Sequence, residues 1–350
     1  MARTSIRRLV IEREAEADPA ARRILSGFPD SAVSIVDDIL DHHADNYSGI
    51  LYLKRNRGRF IKDFPVPPPA PPTGEKYIIT MLNCPFQCRY CYLQVYLEHC
   101  RMVVFTNTGQ MKSELREVIS ADSPERITSG EMGDSLALDH LTGTTSELLP
   151  VFTGTGTLFE ARTKSSNVRH LLDENGAGYS PDNLKNLLIT WTLGPESAAR
   201  AVEPGCASIP DRLEAMRTVS DAAIKTAVRF DPIIPVFYSP RLYRELIENI
   251  FSASGGRVYR FELGVMRFPP GLWEQIRVRY PASPVMRGEF ALADDGKIKF
   301  YRPGRLRIYR ELFEMIKKKF PGFPVELCME PVSVWEDSGI PLPRQRPANN

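Results

Sequence analysis

The sequence predicts an α/β protein whose parallel strands form an open or partial barrel. A helical N-terminal extension and a C-terminal β-hairpin and helix region flank it. Three observations carry that expectation. Short apolar runs rich in β-branched residues alternate with helix starts through the middle of the chain, and repeated strand–helix units imply parallel strands joined by right-handed crossovers. About six such units suit a curled sheet better than a flat one. Asp294-Asp295-Gly296 lies between two apolar runs, the signature of a hairpin turn.

The elements follow in order. Residues 1–72 read as a helical extension and connector, with Val33, Val36 and Leu40 at i, i+3 and i+7. The segment from Pro65 to Pro72 holds six prolines in eight residues and predicts a stiff polyproline II connector. Just before it, the Arg55, Arg57 and Arg59 cluster reads as an exposed basic stretch. Residues 73–240 carry the barrel pattern. Tyr77–Leu82, Met102–Phe105, Arg126–Thr128, Thr157–Ala161, Leu187–Trp191 and Val228–Val236 are the candidate strands. Pro210-Asp211 and Ser239-Pro240 open helices, the second with Leu242, Leu246 and Ile250 on one face. Residues 241–350 form the C-terminal region. It adds a strand at Val258–Leu263 and a hairpin from Phe290–Leu292 to Ile298–Tyr301.

Composition narrows the class. Of 350 residues 43% are hydrophobic and 25% charged, an ordinary globular balance that excludes a largely disordered chain. Lys and Arg total 45 against 43 Asp and Glu, so bulk charge is no argument for nucleic acid or membrane. The excess positive charge is local: residues 257–320 hold 15 Lys and Arg and seven Asp and Glu. No apolar run reaches 18 residues, and Glu12, Glu14 and Glu16 argue against a transit peptide. A cytoplasmic monomer with reduced thiols and no membrane partner is the expectation.

Three of the six cysteines fall within eight residues. Cys84, Cys88 and Cys91 have the spacing C-x3-C-x2-C on a loop directly after a candidate strand. Three thiolates on a short loop can converge on one metal centre, and soft sulfur selects iron–sulfur clusters or zinc. Structural zinc needs a fourth ligand, for which His99 or Cys100 is at hand. A 4Fe-4S cluster held by three cysteines leaves one iron open to a small molecule.

This motif resembles the signature of the radical S-adenosylmethionine (radical SAM) superfamily. Within it the chain is similar to the spore photoproduct lyase family. Five segments match in order: Cys88 to Gln94; Asp134 with Asp139-His140-Leu141-Thr142; Arg162-Thr163-Lys164 with Val168 to Leu172; Glu203-Pro204-Gly205; and Phe261-Glu262-Leu263. The resemblance implies a partial (β/α)6 radical SAM barrel, with the site at the strand C-terminal ends. It implies a 4Fe-4S cluster on Cys84, Cys88 and Cys91 and SAM bound at the open iron. The pair supplies a 5′-deoxyadenosyl radical, which in the lyases takes a hydrogen from a methylene-bridged thymine dimer in DNA. Ser129-Gly130-Glu131 looks like the segment that meets the SAM amino group, and Lys164 matches a lysine that meets its carboxylate. Asp134, Thr190 and Thr192 join them as candidate SAM contacts. Tyr90 and Tyr92 match the tyrosines that relay a hydrogen in the lyases. DNA and an electron donor such as a flavodoxin or ferredoxin are the implied partners.

One departure matters. The lyases return a hydrogen to the product from a cysteine, and that position falls on Glu131 here. A carboxylate O–H bond is too strong to donate a hydrogen atom as a thiol does. Tyr90, Tyr92, Tyr96 or Cys100 is then the candidate donor, or the substrate differs. Cys206 and Cys328 read as packing residues, and His140 and His170 as structural. Lys297, Lys299, Arg302 and Arg305 around the hairpin are the candidate contacts to phosphates. Three functions stand at this point. They are lesion repair or modification in DNA, the same radical chemistry on a small molecule or peptide, and a metal-stabilised nucleic-acid-binding protein without turnover.

Overall fold

The computed structural model describes residues 6–64, 74–97, 99–172 and 181–343. The polyproline connector lies outside the described residues. The chain divides into two compact units that alternate along the sequence. One is built from Glu75–Phe86, Leu97–Leu188 and the described part of Met1–Phe64. The other comes from Gln87–Tyr96 and the described part of Ile189–Asn350.

The first unit holds strands β1 (Arg8–Glu12), β2 (Val33–Val36), β3 (Ile50–Lys54), β4 (Ile61–Asp63), β5 (Glu75–Ile78), β6 (Met81–Leu82), β7 (Met102–Phe105), β8 (Arg126–Thr128) and β9 (Leu158–Thr163). Five of them form a sheet in the order β2-β1-β3-β7-β6, parallel except for β6. Leu9, Ile11, Leu51, Leu53, Met102 and Val104 pack beneath it with Ala21 and Ile24 of the helix Pro19–Leu25. The helical reading of Val33, Val36 and Leu40 therefore fails. Val33–Val36 is a strand, and Leu40 is exposed. Val33, Ile35 and Val36 are β-branched, and pairing with β1 decides the conformation that a coincidental helical spacing suggested.

In the same unit β5, β8 and β9 pair in parallel, with β4 antiparallel at the edge. The predicted run Tyr77–Leu82 splits, because Met81 and Leu82 turn away to pair with β7. Glu75, Arg126, Glu160 and Arg162 form one charged face, while Ile78, Ile127, Phe159 and Ala161 are buried on the other. Period-two alternation thus separates a polar face from an apolar one.

Strand β10 (Leu187–Thr192) opens in the first unit and continues from Ile189 in the second. The second unit adds β11 (Lys225–Ile233), β12 (Phe261–Val265), β13 (Arg267–Phe268), β14 (Phe290–Leu292), β15 (Ile298–Phe300) and β16 (Val325–Leu327). Strands β11, β12 and β16 pair in parallel. Their charged face carries Arg229, Asp231, Glu262 and Glu326. On the other, Phe230 meets Tyr243 of the helix Pro240–Ala253 at 5.2 Å, and Phe261 meets Phe320 at 5.0 Å. The expected helix starts are present: Ser208 caps Ile209–Asp221 by accepting from the Asp211 backbone. The hairpin pairs β14 with β15 antiparallel across the Asp294-Asp295-Gly296 turn, and Gly296 takes φ 74°. No described helix is long and apolar enough to cross a membrane.

Candidate active site

In the first unit, β6 runs into Asn83 and Cys84. Asn83 takes the left-handed conformation (φ 69°), which its short amide tolerates by bonding locally. Its Oδ1 accepts from the Cys84 backbone N–H at 2.9 Å, and its Nδ2 donates to the Cys100 carbonyl at 2.9 Å. Cys100 is exposed and fixes the loop through its backbone. Gly133 closes against the same segment. A Cβ there would stand 2.7 Å from the Met81 sulfur and 2.8 Å from the Asn83 carbonyl, so this close approach admits only glycine.

Asp134 was expected to touch SAM, and the structure gives its carboxylate other work. Oδ1 accepts from the backbone of Leu136 (3.1 Å) and Ala137 (2.9 Å) and from the Thr163 hydroxyl (2.7 Å). Oδ2 accepts from the Lys164 backbone at 2.6 Å. Burial still raises the Asp134 pKa above the usual carboxylate value, and the Lys164 backbone and Thr163 bonds only partly offset it. The carboxylate ties the loop after β8 to the C-terminal end of β9, and Lys164 is the residue it places. Glu131, one turn of the same loop earlier, faces the Arg162 guanidinium at 3.6 Å. Arg162 also pairs with Glu75 (3.1 Å) and Glu160 (3.1 Å), and Arg126 joins through Glu75. The two histidines are structural as read: His170 bonds Asp139 at 2.8 Å, and His140 bonds Asn167.

In the second unit the cysteine loop is docked on the turn Glu203-Pro204-Gly205-Cys206. Gln87 N–H donates to the Pro204 carbonyl (3.0 Å) and Arg89 N–H to the Val202 carbonyl (2.9 Å), bracketing Cys88. The turn has the type II pattern, with Pro second, Gly205 third at φ 84°, and Cys206 N–H donating to the Glu203 carbonyl at 3.2 Å. Cys88 is buried, and its sulfur lies 3.5 Å from that of Cys206. Tyr90 is buried too and donates its hydroxyl to Glu203. Burial first, and then the Glu203 charge, hold the phenol well above its usual pKa, so it stays protonated. Glu203 pairs at 2.5 Å with the buried Arg212, which also donates to the Thr192 carbonyl at 2.9 Å. Tyr92 packs edge-on against Tyr96 at 5.3 Å. Thr190 and Thr192 are buried on β10.

Sequence reading missed Arg212 and Cys206. Cys206 was set aside as packing, although the Glu-Pro-Gly before it announces a turn. Arg212 left no local signal, because its partner lies nine residues back and meets it only after folding. The hairpin cations also need correction. Lys299 is buried and pairs with Asp295 at 3.0 Å and Glu330 at 3.8 Å; Arg305 is buried and pairs with Glu330 at 2.9 Å. Their charges hold the fold and do not face phosphates. Lys297 pairs with Asp295 at 3.1 Å, and the half-exposed Arg302 pairs with Asp337.

The donor set fits a 4Fe-4S cluster: three thiols at C-x3-C-x2-C, with no disulfide among the described residues. The family model for spore photoproduct lyase matches residues 69–330. The chain belongs to the spore photoproduct lyase family. Members of that family are radical SAM lyases. A solved spore photoproduct lyase complexed with dinucleoside spore photoproduct superposes with a TM-score of 0.76 at 21% identity. The match covers 93% of this chain and 98% of that one. A double variant of the lyase with bound AdoMet and dinucleoside spore photoproduct gives 0.74 at 20%, over 92% and 97%. These likenesses are of fold, and they make the sheet the partial barrel of the radical SAM enzymes. A search of curated proteins finds no match.

Proposed function

We propose that this radical SAM enzyme repairs or modifies a thymine-dimer-type lesion in DNA. The observation that carries the reading is the family match from 69 to 330. It embraces the cysteine loop and the Glu203–Cys206 turn on which that loop is docked. The fold likeness to a lyase complexed with dinucleoside spore photoproduct spans nearly the whole chain.

By the family's motif, Cys84, Cys88 and Cys91 would hold the 4Fe-4S cluster, and SAM would bind at its open iron. Together these groups supply a 5′-deoxyadenosyl radical when bound. The chain's residues orient them. Lys164, set by Asp134, offers a cation to the SAM carboxylate, and Glu131 offers a carboxylate to its amino group. Thr190 and Thr192 line β10, and Arg212 fixes the backbone there. Tyr90 stays a phenol with a bonded hydrogen, as a relay requires, and Tyr92 sits one residue beyond Cys91. Around the hairpin DNA is met through the half-exposed Arg302 and the exposed Leu292, since Lys297, Lys299 and Arg305 are mostly enclosed and paired. A flavodoxin or ferredoxin supplies the electron, and the unbridged cysteines suit a reducing cytoplasm.

A second substrate reading rests on a departure in sequence: by resemblance, Glu131, which pairs with Arg162, falls at the position where the lyases carry their hydrogen-donor cysteine. The same chemistry on another substrate then follows. One experiment separates the two. Anaerobic, cluster-loaded and reduced enzyme is mixed with SAM and an oligonucleotide bearing the methylene-bridged thymine dimer, and products are read by mass spectrometry. Restored thymine is expected. 5′-Deoxyadenosine without restored thymine transfers the enzyme to the second reading.

A further inference from the structure

Cys206 follows the Glu203-Pro204-Gly205 turn directly, and the fold brings its sulfur to that of Cys88. The approach is built from the backbone on both sides. The type II turn sets Cys206 through its N–H bond to the Glu203 carbonyl. The bonds from Gln87 and Arg89 to Pro204 and Val202 fix the residues on either side of Cys88. Tyr90 adds a third tie through Glu203 and Arg212. With loop and turn held this way, the 3.5 Å between the two sulfurs is a defined contact within hydrogen-bond reach for sulfur.

We propose that Cys206 is a positioning residue for the 4Fe-4S cluster, donating an S–H···S hydrogen bond to Cys88 and thereby raising the cluster's reduction potential. The inference rests on reading Cys88 as a cluster ligand. Its direction follows from chemistry. A cysteine that ligates iron has given up its proton, so only Cys206 has a hydrogen to donate. Hydrogen bonds to ligand sulfurs are among the levers on cluster potential, because a donor stabilises the more negative, reduced state most. The buried setting of Cys88 strengthens that interaction relative to water.

Two measurements test it. In cluster-loaded protein, a redox titration followed by electron paramagnetic resonance compares wild type with Cys206→Ala and Cys206→Ser, with iron and sulfide content measured alongside. The alanine variant keeps its iron and shifts the midpoint negative by a three- to tenfold change in the reduction equilibrium, on the scale of one hydrogen bond. Tenfold is about 59 mV for one electron. Serine, which keeps a donor, recovers part of the shift. An unmoved midpoint in Cys206→Ala overturns the proposal. In cluster-free protein, diamide takes two electrons and two protons from the thiol pair and becomes its hydrazine, leaving a Cys88–Cys206 disulfide. Peptide mapping finds that crosslink if the sulfurs sit as described, and its absence overturns the placement. Wild-type protein that crosslinks but takes up no iron refutes Cys88 as a ligand, and the proposal falls with that reading while the geometry stands.

Discussion

Single side chains in this protein do separable jobs, which makes them separately testable. Cys88 is buried between two backbone hydrogen bonds to the Val202–Pro204 segment. Cys88→Ala leaves those bonds in place and removes a ligand, so iron uptake and 5′-deoxyadenosine formation both fall to background, as iron assay and chromatography will show. Lys164 differs, because Asp134 holds it through its backbone N–H. Lys164→Ala keeps full iron content and weakens SAM binding by about tenfold, the scale of one charge-assisted hydrogen bond, read by equilibrium dialysis. Tyr90, Tyr92 and Lys164 were legible as candidates because they flank a spaced motif or a strand end. The hydrogen bonds that Asp134 makes were not legible. A carboxylate's task depends on which donors reach it: the N–H groups of Leu136 and Ala137 are local, but the Thr163 hydroxyl and the Lys164 N–H come from the end of β9.

At the scale of elements, the turn Glu203–Cys206 is the part on which the cysteine loop depends. Glu203 neutralises Arg212, which is almost entirely enclosed. Glu203→Ala leaves that guanidinium without its carboxylate and costs about 3–5 kcal/mol, measured by urea unfolding of cluster-free protein. The hairpin is a second such element. Its sequence was read correctly from the Asp294-Asp295-Gly296 turn, but its charge was not. Lys299→Ala is expected to lower the unfolding midpoint, because Asp295 and Glu330 lose their buried partner. A variant that loses DNA affinity while keeping wild-type stability would place Lys299 back on the surface. Pattern alone could not reveal this: β15 is three residues long, Lys299 and Phe300 are both buried, and nothing in the sequence sets Lys299 apart from Lys297.

For the whole molecule, the charged faces of the strands set a pH limit. The Asp231 side chain is largely enclosed, which opposes its charge, yet Arg267 and then Arg229 beside it hold its carboxyl well below the usual range. Its ionised form therefore contributes fully above the unfolded carboxylate value of about 3.9, and that contribution is lost progressively as pH falls from there toward the depressed folded value. Urea midpoints measured between about pH 6 and pH 3 should drop, and the drop should be smaller in Asp231→Asn. Cys328 sits in the same network, with Arg267 Nη2 3.0 Å from its sulfur. It was read from sequence as a packing residue in an apolar run. Strand β16 ends at Leu327, so Cys328 falls on the same face as Glu326, toward the arginines.

The sequence by itself determined the chemistry class and the architecture that serves it. C-x3-C-x2-C is a local spacing, strand–helix alternation is a local period, and a turn such as Asp-Asp-Gly acts on its own neighbours. Tertiary structure alone decided which charges are internal, what Asp134 holds, how Val33–Val36 lies and what stands beside Cys88. Each of those depends on a partner supplied from elsewhere in the chain. Lys299 meets Glu330, Arg212 meets Glu203, β2 meets β1, and Cys88 meets Cys206, 118 positions away. Burial makes such partners obligatory, because a charge or strand edge removed from water must find its complement within the protein. No periodicity along the chain records where that complement will come from.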